Sequence, residues 1–490
     1  MLAGADPPGA VPGTRPYHRP VIPTDRPTAE LRLRRLPERI GAARAIDMAE
    51  RFRDLPGLVL LESARPGRNA RWTYLTADPV AVLETPVAGP DPFAVARALV
   101  SRLDGRRLPA DAPPFLGGIA GFLGYDLGAS FERLPAIAPS DQDLPPLRLA
   151  LHDWVVAWDR RDGVAWLGGR ALDADDRRLA ARLDDVHARL TGPEPSVPSV
   201  PREGTPLEFH SGLDRAAYEA GVERIREHIA SGDLYQANLT RRLETRFDGD
   251  PWDLYRRLRT GDPSLFSAYL DLGRGQLSGR PRALLSASPE PFLAVDPYGV
   301  VTTDPIKGTR PRGRDRAADR ALACELLTSE KDRAENVMIV DVLRNDLGRV
   351  CRPGSVRVPR LCRLERTATV QHLVSTVTGR LADGRDAFDL LAASFPGGSI
   401  TGAPKIRAME ILEGLEPVRR GPYTGAIGWI GPDGAMQTSI AIRTFVADGR
   451  RLTLHVGGGI TWKSDPAAEW EETVSKARGP LGAIGGTEVA

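Results

Sequence analysis

Fifteen residues near the middle of the chain, GPEPSVPSVPREGTP at 192–206, hold five prolines and no apolar periodicity, so neither a helix nor a sheet ladder is expected to run through them. They read as an exposed linker dividing a first part, 30–191, from a second, 207–485. Residues 1–29 carry seven prolines and read as a disordered arm. At 490 residues the chain can bury one large core or two ordinary ones. In the first part, short apolar runs such as LPGLVLLES (55–63) and LALHDWVVAWD (149–159) alternate with turn signals and with the glycine-rich FLGGIAGFLGYDLG (115–128). These predict strands of an antiparallel or mixed sheet with a few helices. The second part opens with a predicted helix from Asp214 to Ser231, with Tyr218, Val222, Ile225 and Ile229 on one face and Gly232 as its stop. Beyond it, strand-like and helical patterns alternate irregularly. No internal repeat and no doubly wound or barrel spacing emerges, which points to an α/β (α+β) class.

The charge balance excludes several functions. A formal net charge of +2 with no basic stripe or acidic tail argues against nucleic-acid and membrane partners. Three cysteines, Cys324, Cys351 and Cys362, without CxxC or CxxH spacing, fit neither a complete disulfide set nor a zinc site. A soluble protein of the reducing cytoplasm is expected. Lysine is almost absent: five of the 66 lysine and arginine residues, namely Lys307, Lys331, Lys405, Lys463 and Lys476. A guanidinium serves on a solvated surface as well as an ammonium does, but only an amine can shift its pKa and act as a nucleophile. Four of the five lie in glycine-rich or carboxylate-rich segments, which sets them apart from chance remnants.

Two predicted helices carry paired acids. The first starts at the N-cap Asp465 with Pro466 in its first turn and is expected to end near Gly479; Glu469, Glu472 and Lys476 share one of its faces. Such a stripe is either a solvated salt bridge or a cation site. Just before it, LTLHVGGGITW (452–462) reads as a strand ending in three glycines whose bare N–H groups can approach an anion. The second helix, SEKDRAENVMIVDVLRND, places Asp332 and Glu335 on a largely apolar element, where they suit either arginine pairs or a hard cation such as Mg²⁺. SFPGGSITGAPK (394–405) offers a glycine-rich loop before a helix, and PYTGAIGWIGPDGAMQTSIAIRTF (422–445) sets Tyr423 and Arg443 about a PDG turn, placed to grip a carboxylate.

Taken in order, PIKGTRPRG, RAENVMIVDVLRNDLGRV, VQHLVSTVTG, SFPGGSITGAPK, IAIRT, HVGGGI and EWEETVSKA resemble the chorismate-utilising enzymes. These are the anthranilate synthase large subunits, aminodeoxychorismate synthase component I, and the isochorismate and salicylate synthases. The resemblance covers nearly all of the chain after the arm. It implies two large, mostly antiparallel sheets packed as a sandwich with helices outside. Lys307 in PIKGT resembles the aminodeoxychorismate synthases, where a lysine attacks C2 of chorismate. Gln236 in GDLYQANL stands where isochorismate and salicylate synthases carry a water-activating lysine, and Tyr235 and Asn238 also resemble the aminodeoxychorismate group. The resemblance further implies Mg²⁺ on Glu335 and Glu472 with Glu469 through water, and Glu290 as general acid. Tyr423 and Arg443 would take the enolpyruvyl carboxylate; Gly457, Gly458 and Lys476 the ring carboxylate; His372, Thr309 and Gln236 complete the substrate set. LLES resembles the element through which anthranilate synthases bind tryptophan, so Ser63 would line an amino-acid pocket. No glutaminase module is evident, so ammonia would come from a glutamine amidotransferase partner. The alternatives are an anthranilate synthase component I and a catalytically silent binding subunit.

Overall fold

A computed structural model describes residues 32–489 except 66–69, 87, 88, 90, 194–205, 276–277 and 368–369. The Pro-rich arm and nearly all of the 192–206 linker therefore lie outside the described residues. Two large sheets, of thirteen and ten strands, form the frame. Every strand pair is antiparallel except Gly486–Glu488, which runs parallel to Leu207–Ser211. The sheets pack face to face through Tyr74, Phe115, Phe122, Leu270, Leu284 and Trp429, all buried, with Phe115 stacked on Trp429 at 4.9 Å between centroids.

Each sheet takes strands from both sides of the linker. In the larger, Val59–Glu62 pairs with Phe266–Arg274; in the smaller, Gly118–Leu123 pairs with Ala426–Ile430. The linker thus joins two stretches that share their sheets. The LALHDWVVAWD run is two strands, Leu147–His152 in the smaller sheet and Trp154–Asp159 in the larger, with Asp153 as the crossing. Both are buried throughout, so one continuous apolar run serves two sheets.

Helices cover the outer faces. Pro251–Gly261 and Pro466–Ile484 bury Trp252, Tyr255, Leu258, Leu481 and Ile484 against the larger sheet. Glu330–Gly348 and Ala387–Ser394 bury Ile339, Leu343, Leu347, Phe388 and Leu391 against the smaller. Each fully buried large apolar side chain of this kind contributes about 1.5–3 kcal/mol.

The expected helix Asp214–Ser231 is found as Arg215–Ala230, with the Asp214 side chain accepting from Ala217 N at 2.8 Å. The last helix departs from expectation at its end. It runs through Gly479 and Pro480 to Ile484 and stops at Gly485, whose φ is +77°. An internal proline costs about 3 kcal/mol, and here the burial of Leu481 and Ile484, 2% and 1% exposed, offsets that cost.

Candidate active site

The two longest central strands of the larger sheet, Gln236–Arg246 and Arg451–Ile460, pair over ten residues, from Arg246 opposite Arg451 to Ala237 opposite Ile460. The three glycines close this strand, as its sequence pattern implied, and are paired within it opposite Thr240, Leu239 and Asn238. Their lack of side chains has a direct use. A Cβ on Gly458 would stand 2.9 Å from Glu469 Oε2, and one on Gly459 would stand 2.3 Å from Gln236 Nε2 and 3.8 Å from Lys307 Nζ. The glycines therefore let the side chains of three other elements close on this strand.

The helix Pro466–Ile484 brings Glu469, Glu472 and Lys476 to that surface. Glu469 is 6% exposed and accepts from Ser464 Oγ at 2.6 Å. Lys476 Nζ donates to Gly457 O at 2.7 Å and pairs with Glu472 at 2.7 Å. The solvated i,i+4 bridge is thus formed, and its lysine is also anchored on the glycine strand. Burial raises the Glu469 pKa, and the neighbouring Glu472 adds to this. Burial acts the same way on Glu472, but Lys476, Lys307 and Lys331 outweigh it and its pKa is lowered.

From the opposite side comes the helix Glu330–Gly348, capped by Ser329, whose Oγ accepts from Asp332 N at 3.2 Å. Asn336, fully buried, donates to Leu373 O at 3.2 Å and accepts from Ser375 Oγ, locking this helix to the strand Val370–Arg380. That lock sets Glu335 toward Lys307: burial raises its pKa, Lys307 and Lys331 oppose the rise, and Asp332 and Glu472 reinforce it. Asp332 pairs with Arg310 at 3.1 Å, so of the two acids the sequence singled out here, one is held by an arginine and one faces the site.

Lys307 lies on the strand Ile306–Pro311, opposite Leu373, where a bulge between Lys307 and Thr309 re-aims the chain. Glu290 follows the strand Pro281–Ser288; its carbonyl accepts from Ile440 N at 3.1 Å and its carboxylate from Ser399 Oγ at 3.1 Å. Burial raises the Glu290 pKa against the pull of Lys307, Ser399 and Lys476. The charge of Lys307 thus acts on Glu290, Glu335 and Glu472 alike. Gln236 is 1% exposed and its Oε1 is buried without a hydrogen-bond partner.

The remaining expected residues surround this cluster or stand apart from it. Thr309 Oγ1 and His372 Nδ1 are 2.9 Å apart, and burial, Arg65 and Arg443 bring the His372 pKa down to about 4. Arg443 pairs with Asp262 at 3.5 Å, and Tyr423 is buried and stacked on His455 at 5.1 Å. Ser63 is buried and lines a small cavity between the sheets with Leu61, Trp72, Tyr74, Trp429 and Ser439. Lys405, in the glycine-rich loop, is held at 2.8 Å from both Asp346 and Ser394 O. That loop does not stand free for an anion, because Gly402–Ala403 pairs with Gln236 and Ala237.

A wider cleft lies at the far end of the same two strands, lined by Asp141, Glu244, Arg246 and Arg451. Its acids are already neutralised, Asp141 by Arg242 and Arg451. Around Lys307 the acids are paired with lysines instead, Glu472 with Lys476 at 2.7 Å and Glu335 with Lys331 at 3.9 Å. Among the described residues no three His, Cys, Asp or Glu side chains gather closely enough to hold a metal by themselves. Glu335, Glu469 and Glu472 are the oxygen donors available to share a hard cation with a bound anion.

Sequence reasoning missed Ser399, Asn336 and the buried pair Glu416–Arg420. Each is an ordinary polar residue whose importance comes from a partner more than 35 residues away or from burial, and local spacing carries neither signal.

A sandwich with acids and amines converging at one strand end has counterparts. A family model described as chorismate binding enzyme matches residues 60–482, and the chain belongs to that family. It is 42% identical over 448 residues to anthranilate synthase component 1 of Streptomyces coelicolor, covering 89% of this chain and 85% of the relative. It is 41% identical to aminodeoxychorismate synthase component 1 of Salmonella typhimurium, covering 83% and 88% respectively. Among solved structures, anthranilate synthase component I from Streptococcus pneumoniae superposes with a TM-score of 0.74 at 31% identity, covering 85% of this chain and 93% of that one. The menaquinone-specific isochorismate synthase of Escherichia coli, at 18% identity and a TM-score of 0.70 over 93% and 95%, shares the fold. The chain is thus a chorismate-utilising synthase subunit of the anthranilate and aminodeoxychorismate component I group.

Proposed function

We propose that this chain is component I of an aminodeoxychorismate synthase, converting chorismate and ammonia to 4-amino-4-deoxychorismate in the cytoplasm, on the route to 4-aminobenzoate. The observation that carries the reading is Lys307, an amine beside the glycine strand and Gln236 whose charge acts on Glu290, Glu335 and Glu472. Its free lone pair adds to C2 of chorismate while the C4 hydroxyl departs as water, taking the proton that Glu290 holds. Burial raises the Glu290 pKa, which favours its holding that proton. Ammonia then forms the new bond at C4, the C2–Nζ bond breaks to regenerate the lysine amine, and the proton shed by the added nitrogen returns to Glu290. Glu335 and Glu472, with Glu469 through water, would hold Mg²⁺, which when bound supplies positive charge for the ring carboxylate and draws electron density toward C1. Gly457, Gly458 and Lys476 receive that carboxylate, Tyr423 and Arg443 the enolpyruvyl carboxylate, and neutral His372 with Thr309 and Gln236 the ring. A glutamine amidotransferase subunit supplies the ammonia.

Mass spectrometry of the intact protein with chorismate and Mg²⁺ but no ammonia tests the adduct: it forms on the wild type and not on Lys307→Ala. Lys307→Arg is inactive, since a guanidinium with a pKa above about 12 has no free lone pair. Excess EDTA abolishes turnover; full activity in its presence would remove Mg²⁺ from the account. The identity to a relative named anthranilate synthase component 1 favours a second reading, direct ammonia attack at C2. Product analysis separates the two, because that route releases fluorescent anthranilate and gives no 4-aminobenzoate when a lyase is added.

A further inference from the structure

The strand that pairs with the glycines is also held by a fully buried guanidinium. Arg420 is 1% exposed and stands over the Tyr125 ring at 4.3 Å. All five of its N–H groups have acceptors. Nε donates to Glu416 Oε2 at 2.8 Å, Nη1 to Ile400 O at 3.0 Å and Thr424 Oγ1 at 3.3 Å, and Nη2 to Asn238 O at 2.6 Å and Glu416 Oε1 at 2.7 Å. Glu416 in turn accepts from Thr240 N at 3.1 Å and Thr240 Oγ1 at 2.9 Å.

The three backbone segments tied together here are those that present the site. Ile400 follows Ser399, the hydroxyl that donates to Glu290. Asn238 and Thr240 belong to the strand that carries Gln236 and pairs with the glycines. Thr424 follows Tyr423 and is held at a φ of +60°, a conformation that a β-branched residue keeps only when its surroundings impose it. Its hydroxyl also donates to Tyr423 O at 2.6 Å. A lysine offers three rotatable donors in place of a rigid fork of five, and so cannot span these acceptors.

We propose that Arg420, with Glu416, is a positioning residue: it registers the Ser399 loop, the Gln236 strand and the Tyr423 turn against one another, and through Ser399 it fixes the orientation of Glu290. The inference rests on Glu290 belonging to the chorismate machinery and not on which amino isomer is released. Chorismate consumption with Mg²⁺ and ammonium, which is blind to the product isomer, is therefore the assay, normalised to folded protein by circular dichroism. Arg420→Lys is expected to lower kcat at least about tenfold while KM for chorismate changes less than about threefold, the split of a misplaced acid. Lys307 and Lys476, the charged groups facing Glu290, are unchanged by it. Both Arg420→Lys and Ser399→Ala move the alkaline limb of the kcat profile to higher pH, because Ser399→Ala removes the hydroxyl donor from the Glu290 carboxylate and Arg420→Lys lets the loop carrying that donor shift away from it. The double variant resembles the weaker single variant and is not their product, as expected of two residues acting along one path. If Arg420→Lys does not fold, the uncharged Arg420→Gln/Glu416→Gln pair is read in its place. An active wild type with an equally active folded variant, or multiplicative effects in the double variant, overturns the inference. A wild type that consumes no chorismate overturns the functional reading and this inference with it.

Discussion

Lys307, Lys331 and Lys476 all act on the site carboxylates, whereas Lys405, partly buried, is paired with the buried Asp346 and Lys463 is exposed. The scarcity of lysine in the sequence therefore marked three amines around the candidate site's carboxylates and one structural ion pair. The two kinds are separable by measurement. Lys405→Met leaves Asp346, 2% exposed, without its cation, and loss of one partner of a buried pair costs about 3–5 kcal/mol. A large drop in the thermal midpoint is expected, with kcat per folded molecule close to wild type; an unchanged midpoint would show that Asp346 finds another partner. Glu290→Gln should do the reverse. Its side chain remains a hydrogen-bond partner for Ser399, so the fold stays intact, while loss of the general acid lowers kcat by about 10²- to 10⁴-fold with a smaller change in chorismate affinity. A variant with near wild-type kcat would assign the proton to another group.

The element most legible in the sequence was the helix from Asp465, because an N-cap, a first-turn proline and an acid–amine stripe are local signals. Its C-terminal end was not, since Pro480 reads as a stop and only tertiary burial of Leu481 and Ile484 carries the helix past it. The glycine run was legible as the end of its strand, but its partner strand was not. Glycine is a weak strand former, and what keeps Gly457–Gly459 extended is the pairing with Leu239, Thr240 and Asn238, more than 200 residues away in sequence. That placement yields a steric prediction. Gly458→Ala sets a methyl 2.9 Å from Glu469 Oε2, tighter than a carboxylate held by Ser464 can accept without moving. The expected outcome is a rise in the Mg²⁺ concentration needed for half-maximal turnover with little change in secondary structure by circular dichroism. An unchanged Mg²⁺ requirement would place Glu469 outside the cation site.

At the scale of the whole molecule, the two halves that the linker separates in sequence are joined where function is assembled. Tyr125 N donates to Gly421 O at 2.7 Å, and Asp126 Oδ2 accepts from Gly421 N at 2.9 Å, tying the first half to the turn that carries Arg420 and Tyr423. Sequence pattern registered the first segment as glycine-rich and the second, from Pro422, as strands about a PDG turn, but had no means of pairing them across 295 positions. The junction carries a pH signature. Burial pushes the Asp126 pKa up to about 6, against the donation from Gly421 and the pull of Arg419. An unfolded aspartate titrates near 4, so between about pH 4 and 6 the folded state binds the extra proton. The native state is then favoured at the acid end of that window and loses stability as the pH rises through it, up to about 3 kcal/mol for a shift of some two units, less whatever solvent screening removes. Asp126→Asn keeps an oxygen to accept from Gly421 N but has no proton to lose. Its thermal midpoint relative to wild type should therefore climb from pH 4 to 6 and level off by pH 7. Two curves that stay parallel across that range would mean that Asp126 titrates as an ordinary solvated carboxylate and that the junction bears no electrostatic strain.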